Sequence, residues 1–167
     1  MCGIIGLVSD QEVSSTLLEG LKRLEYRGYD SSGIATINAN KIERVRSKGN
    51  LSFLEEKLSN TNLPGNIGVG HTRWATHGTP DEKNAHPHIT DKVAVVHNGI
   101  IENNNQIRNQ LIESGVEFSS DTDTEVICHV LTTYLNSGLS AYDSIRATMN
   151  DIRGTYALGV LVLSEPE

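Results

Sequence analysis

The segment Gly3-Ile4-Ile5-Gly6-Leu7-Val8 opens this chain with apolar side chains on both faces of an extended run, and the polar pair Ser9-Asp10 ends it. A strand of that kind needs a packing layer above and below it. A polypeptide that begins this way is expected to begin inside its core. The next apolar positions, Leu17, Leu18, Leu21 and Leu24, recur at helical spacing from Val13, with Asp10 as the expected cap and Gly28 past the end. One amphipathic helix is therefore predicted to follow the first strand.

Residues 32–38 and 42–46 read as a hairpin around Ala39-Asn40, and Asn50 is placed to cap a short helix ending near Leu58. Asn62-Leu63-Pro64-Gly65 makes a turn, and residues 67–72 and 93–96 are predicted interior strands. The polar stretch between them carries Gly78, Pro80 and Pro87 and is expected to be a long loop without regular structure. Helical patterns cover residues 104–114, 124–136 and 141–151, and an apolar strand over 155–163 follows. Strands at both ends and in the middle with helices between them make an α+β class, with the sheet order undetermined.

A length of 167 residues is expected to form one domain with a single soluble core, and a composition of 37% hydrophobic but only 5% aromatic residues makes that core aliphatic. No apolar run approaches the roughly 20 residues that a membrane helix needs. The net charge of -7 weighs against binding to nucleic acid phosphates, and a small acidic or zwitterionic substrate would need local arginines. Cys2 and Cys128 are too few for a disulfide framework, and MCGIIGLVSD lacks the basic and apolar regions of a signal peptide. A reducing cytoplasm is the expected location.

Cys2 can carry chemistry in a way an internal cysteine cannot. Once Met1 is removed, it joins a thiol and a free amine in one residue. Such amines titrate near about 7.7–8.0 and thiols near about 8.5, so the amine can relay the thiol proton at neutral pH. With Met1 attached, the nitrogen is an amide and cannot act as a base. From position alone, Cys2 also reads as a small buried hydrophobe.

Further motifs follow in order. They are Met1-Cys2-Gly3-Ile4-Ile5-Gly6, Tyr26-Arg27-Gly28-Tyr29-Asp30-Ser31-Ser32-Gly33, His71-Thr72-Arg73-Trp74-Ala75-Thr76-His77-Gly78, His97-Asn98-Gly99 and Ser120-Asp121-Thr122-Asp123-Thr124-Glu125. Together they resemble the class II glutamine amidotransferases from end to end. Within that class the second and third motifs look like the glucosamine-6-phosphate synthase branch of hexosamine biosynthesis. The resemblance implies an N-terminal nucleophile hydrolase fold, an αββα sandwich of two stacked antiparallel sheets flanked by helices, with Cys2 beginning a central strand.

For the chemistry, the resemblance implies that Cys2 attacks the side-chain amide of L-glutamine to give a γ-glutamyl thioester and ammonia. Asn98 and the Gly99 backbone N–H would receive the oxyanion, although Asn-Gly is also a strong hairpin-turn signal. Arg73 would grip the substrate carboxylate, although it could form a surface ion pair. Asp123 would hold the substrate ammonium, although Thr122-Asp123-Thr124-Glu125 also matches a capping box. Trp74, Thr76 and His77 would belong to a lid over glutamine, and Arg27 and Gly28 would lie close to Cys2.

No metal or cofactor is expected. His77, His86 and His88 share one loop, but the paired ligand spacings of zinc sites are absent, and Asp121, Asp123 and Glu125 lack the remainder of a calcium loop. In the family a sugar-isomerase domain binds fructose 6-phosphate, receives the ammonia and forms a homodimer. Residues 1–167 contain no such domain, so glutamine hydrolysis alone is expected of them. The alternatives are a phosphoribosyl or aspartyl acceptor, or an idle glutamine-binding module that retains Met1.

Overall fold

The computed structural model describes residues 2–28, 30–74 and 79–166. Its first sheet contains β1 (Gly3–Val8), β2 (Ser31–Asn38), β3 (Lys41–Lys48) and β4 (Ile67–Arg73) in the order β1-β4-β2-β3. The second contains β5 (His88–Ile89), β6 (Val93–Ile101) and β7 (Gly154–Val162), with β6 in the middle. Every pairing is antiparallel. Helices α1 (Ser14–Leu24) and α2 (Leu51–Asn60) cover the first sheet, while α3 (Asn104–Glu113), α4 (Asp123–Asn136) and α5 (Ala141–Asp151) cover the second.

Period-two alternation along the strands creates the four layers. On β2, Ile34 turns toward Leu17, Leu21 and Leu54 of the helices, while its neighbours Ala35 and Ile37 turn toward the second sheet. On β6, Val93 and Val95 face α3 and α4, whereas Ala94 and Val96 meet Val69 and Ile67 of β4. On β4, Gly68 and Gly70 lie beneath Leu17 and Leu21. That alternation sends Val69 and His71 into the space between the sheets.

The tight connection from β2 to β3 uses Ala39 and Asn40 with φ of 44° and 61°, the left-handed pair that a two-residue hairpin requires. Asn50 caps α2 by accepting from the Ser52 N–H at 3.2 Å, as expected. Four local expectations fail. Asp10 does not cap α1: the N-cap is Val13, which has no side-chain bond. Gly28 is not a left-handed helix terminator, because a short 3-10 turn over Glu25–Arg27 intervenes and its backbone is extended. The polar loop is not wholly irregular, since His88–Ile89 pairs with Val95 and Ala94. β1 is not a central strand but lies at the edge, pairing with β4 alone among the described residues.

This last difference has a simple origin. Ile5 and Leu7 pack toward α1 and Ile4 toward the second sheet, but all three are only half-buried, Gly6 is exposed and Val8 is 68% exposed, so β1 is less covered than its apolar pattern predicts. Side-chain pattern reports on layers above and below a strand and carries no information about neighbours within the sheet.

Leu21 is fully buried between α1 and the first sheet. Leu21→Ala is expected to lower unfolding free energy by about 2–5 kcal/mol, read as a lower denaturant midpoint with an unchanged slope.

Candidate active site

The register of β1 against β4 determines what Cys2 meets. Gly3 lies opposite Thr72 and donates to its Oγ1 at 3.1 Å, which sets Cys2 beside the next peptide of β4. The Trp74 N–H donates to Cys2 Sγ at 3.2 Å, and Sγ lies 3.6 Å from Trp74 O. The backbone at the end of β4 therefore holds the sulfur. Gly28 backs this peptide: a Cβ there would lie 2.8 Å from the Arg73 carbonyl carbon and 3.0 Å from Trp74 N. Only a residue without a side chain lets the strand end and the segment after α1 approach so closely.

Arg73 is 4% exposed, so it is not a surface ion pair, and its Nη1 donates to Thr79 O at 3.3 Å. Trp74, by contrast, is 48% exposed. Beyond Thr79 the loop is pinned down. Arg46 Nη1 donates to Lys83 O and Ala85 O at 3.1 and 2.8 Å, and Arg44 Nη1 to Pro87 O at 3.2 Å. The side chain of Arg27 and residues Thr76 and His77 lie outside the described residues.

Asn98 and Gly99 arrive from the other sheet. They sit within β6 opposite Ala157 and Tyr156, so Asn98-Gly99 is not a hairpin turn. Gly99 has φ of 132°, and a Cβ there would lie 2.0 Å from Thr155 O, so glycine is required in the strand. Asn98 Nδ2 donates to Cys2 O at 3.0 Å, joining the two sheets at the candidate nucleophile.

Asp123 begins α4 and is 5% exposed, with Oδ2 accepting from the Ile101 N–H at 2.9 Å and Oδ1 lying 3.7 Å from His97 Nδ1. The capping box does not form. Thr122 makes no side-chain cap, and Glu125 accepts from the backbone N–H groups of Ser119 and Ser120 at 2.8 and 2.6 Å. Burial works against ionisation of Glu125, but the His129 imidazole 3.8 Å away and hydrogen bonds from Ser120 and Ser119 outweigh it and hold the carboxyl well below the usual range. Cys2, Gly28, Arg73, Trp74, Asn98 and Gly99 thus converge where the two sheets meet, and Asp123 is tied to the same strand as Asn98. The other cysteine is no competitor, because Cys128 is fully buried and burial pushes its thiol up.

Sequence patterning did not single out the polar layer behind these residues. His71, His86, His88 and His97 are all buried. His86 Nδ1 accepts from the His97 N–H at 3.4 Å, and Thr124 Oγ1 lies 3.0 Å from both His86 Nε2 and His97 Nδ1. Because His86 Nδ1 accepts, His86 Nε2 carries the ring proton and donates to the threonine oxygen. His88 Nε2 meets Thr122 Oγ1 at 2.9 Å. The usable signal was the position of His71 and His97 on inward phases of apolar strands, where a polar residue needs a partner.

A family model for a glutamine amidotransferase domain matches residues 71–165. The chain is 54% identical over 99% of its length to a glutamine–fructose-6-phosphate aminotransferase (isomerizing) from Bartonella henselae, covering 27% of that protein. It is 50% identical over 100% of its length to the protein of that name from Brucella suis, covering 28% of it. The chain thus spans about a quarter of the length of the curated relatives it matches. Among solved structures it is similar to an allosteric regulatory enzyme of purine biosynthesis, with a TM-score of 0.84 and 25% identity over 98% of this chain and 36% of that one. A glutamine phosphoribosylpyrophosphate amidotransferase from B. subtilis, complexed with ADP and GMP, has a TM-score of 0.83 at 24% identity, over 98% of this chain and 35% of that one. This chain thus shares the fold of these neighbours, and its two antiparallel sheets with flanking helices form the αββα sandwich expected of a class II amidotransferase.

The buried histidines set a pH limit. Burial pushes His71 down to about 4 despite its bonds to Asn98 and His97. Burial, with nearby imidazoles and Arg73, depresses His86, and burial with Arg46 depresses His88. Below the unfolded value of about 6.5 the unfolded chain binds these protons and the folded chain does not, so stability is full above that pH and falls as pH drops. Each such histidine contributes a slope of about 1.4 kcal/mol per pH unit, while Glu125 adds its own loss only below about 4.5. Denaturant midpoints are expected to fall markedly between pH 6.5 and pH 5. A flat profile over that interval would contradict burial of these rings in neutral form.

Proposed function

Because this chain belongs to the glutamine amidotransferase family, we propose that residues 1–167 form the glutaminase domain of a glucosamine-6-phosphate synthase type enzyme. They hydrolyse the side-chain amide of L-glutamine, and a full-length protein passes the ammonia to fructose 6-phosphate. The observation that carries this reading is the Asn98 amide donor, 3.0 Å from the carbonyl of Cys2, whose sulfur is held by the Trp74 N–H. A thiol and a fixed amide donor at one point are what cleavage of an amide requires.

In a chain that starts at Cys2 after loss of Met1, the α-amine takes the thiol proton as Sγ attacks the glutamine amide carbon. The C–N bond then breaks, the amine returns the proton to the departing nitrogen, and ammonia leaves a γ-glutamyl thioester. Water attacks the thioester, releasing glutamate and restoring the thiol. Asn98 Nδ2 and the Gly99 N–H stabilise the oxyanion of both tetrahedral intermediates. The Arg73 guanidinium takes the substrate α-carboxylate through paired N–H bonds, and Asp123 takes the α-ammonium. Trp74, Thr76 and His77 close over the substrate, with Arg27 and Gly28 supporting the cysteine.

Identity supports fructose 6-phosphate as the acceptor over a phosphoribosyl compound. It is 50% or more over almost the whole chain for the aminotransferases and 24% for the phosphoribosylpyrophosphate enzyme. A sugar-isomerase domain and homodimer belong to the same proposal, as does a cytoplasmic location. Among the described residues no helix is long and apolar enough to cross a membrane.

The test is steady-state release of glutamate from glutamine, with intact mass confirming loss of Met1. Cys2→Ala is expected to abolish turnover; hydrolysis at the wild-type rate in that variant would refute the proposal. Asn98→Ala is expected to lower kcat by roughly 10²–10³-fold with little change in KM, the signature of a group acting mainly on the transition state.

A further inference from the structure

An asparagine amide can turn either its oxygen or its nitrogen toward a neighbour, and the two orientations differ by a half-turn. Two carbonyl groups decide between them at Asn98. Cys2 O can only accept, so the amide atom 3.0 Å from it is Nδ2. At the other end, His71 Nε2 lies 3.1 Å from His97 O and 2.9 Å from Asn98 Oδ1. Because His97 O also can only accept, His71 Nε2 carries a proton, which it shares between two oxygens. Flipping the Asn98 amide would set N–H against N–H at His71 and oxygen against oxygen at Cys2. Both hydrogen bonds would be lost and replaced by repulsions.

We propose that His71 is a positioning residue for glutamine hydrolysis: its Nε2–H locks the Asn98 amide with the donor nitrogen facing Cys2. The proposal rests on the reading of Asn98 as an oxyanion donor. His71 reaches Asn98 across the gap between the sheets, from β4 to β6. Its ring is fully buried and lies 4.2 Å, centroid to centroid, from His86, which the His97 N–H and Thr124 hold in place. Nδ1 of His71 has no hydrogen-bond partner among the described residues. A bare lone pair there is tolerable, whereas a second N–H would be a buried unpaired donor on a cation. Toward Asn98, His71 Nε2 is therefore a donor and not a base.

The experiment compares glutamine hydrolysis by Met1-processed wild type, His71→Leu, His71→Gln, Asn98→Ala and the His71→Leu/Asn98→Ala double variant, with Cys2→Ala as control. His71→Leu is expected to lower kcat by about 10–100-fold, part of the loss that removing an oxyanion donor causes, with KM little changed. Glutamine can place an N–H where imidazole Nε2 stands, so His71→Gln is expected to recover most of that loss. In the Asn98→Ala background, His71→Leu should add almost nothing, because its effect passes through the missing amide.

A wild-type kcat in His71→Leu, an equal penalty in both backgrounds, or a glutamine variant no better than leucine would overturn the proposal. If His71→Leu does not fold, the wild-type protein still decides. Nitrogen NMR of its histidines should show His71 protonated at Nε2 and bare at Nδ1 at neutral pH, and the opposite tautomer would overturn the proposal. Activity that survives Cys2→Ala would instead remove the glutaminase reading. Activity that depends on Cys2 but not on His71 would remove this inference alone.

Discussion

Cys2, Gly28, Arg73 and Trp74 come from the first sheet and its connections, and Asn98 and Gly99 from the second, so the site exists only while the two sheets stay packed face to face. That packing is set by small differences in side-chain size. Ala35, Val69, Ala94 and Val96 fill the interface with short side chains, and Ile37, Ile67 and Leu161 extend it. Burial of such groups stabilises by about 25 cal/mol per Å² of apolar area. A change of one methylene in this layer alters the spacing of the sheets, and with it the 3.0 Å contact from Asn98 to Cys2.

Toward the site the same layer turns polar. His71, His86, His88 and His97 lie between or beside the sheets with Thr122 and Thr124 and replace apolar contact by hydrogen bonds of defined direction. Hydrophobic packing fixes distance but leaves orientation loose, whereas a satisfied polar network fixes orientation as well. His71, His86 and His88 remain neutral because burial penalises their charged forms. The end of the fold that must hold an amide at a set angle is therefore also the end most sensitive to acid.

Much of this was legible in the sequence. The spacing of Leu17, Leu21 and Leu24, the alternation around Ile34 and the cap at Asn50 all encode local structure that forms as read. The family motifs pointed to Cys2, Arg73, Asn98, Gly99 and Asp123, and four of these converge on the meeting line of the sheets, with Asp123 tied to β6. Sheet order was not legible, because the apolar pattern of β1 carries no information about its neighbours within the sheet. The capping-box pattern misled because Glu125 is drawn to Ser119 and Ser120, a competition that depends on where the preceding loop folds. His86 and His88 share a loop with His77 and so read as possible metal ligands, whereas the strand phases of His71 and His97 have to be combined across two sheets to reveal a network.

The bond from Asn98 to the Cys2 carbonyl also bears on how the proposed reaction gains rate. In the resting arrangement Nδ2 already has an acceptor, the Cys2 carbonyl. A neutral carbonyl is a modest acceptor, and exchange between such partners changes free energy little. A developing oxyanion is a charged acceptor, and hydrogen bonds to charged groups are roughly twice as strong. An amide that leaves the first for the second gains chiefly when charge appears, which is the condition for stabilising a transition state more than a bound substrate. Such a gain requires that the amide not rotate during the exchange, since a half-turn would present oxygen to oxygen. The bond on the far side of Asn98, from His71 at 2.9 Å, involves neither the nucleophile nor the substrate and can remain intact throughout.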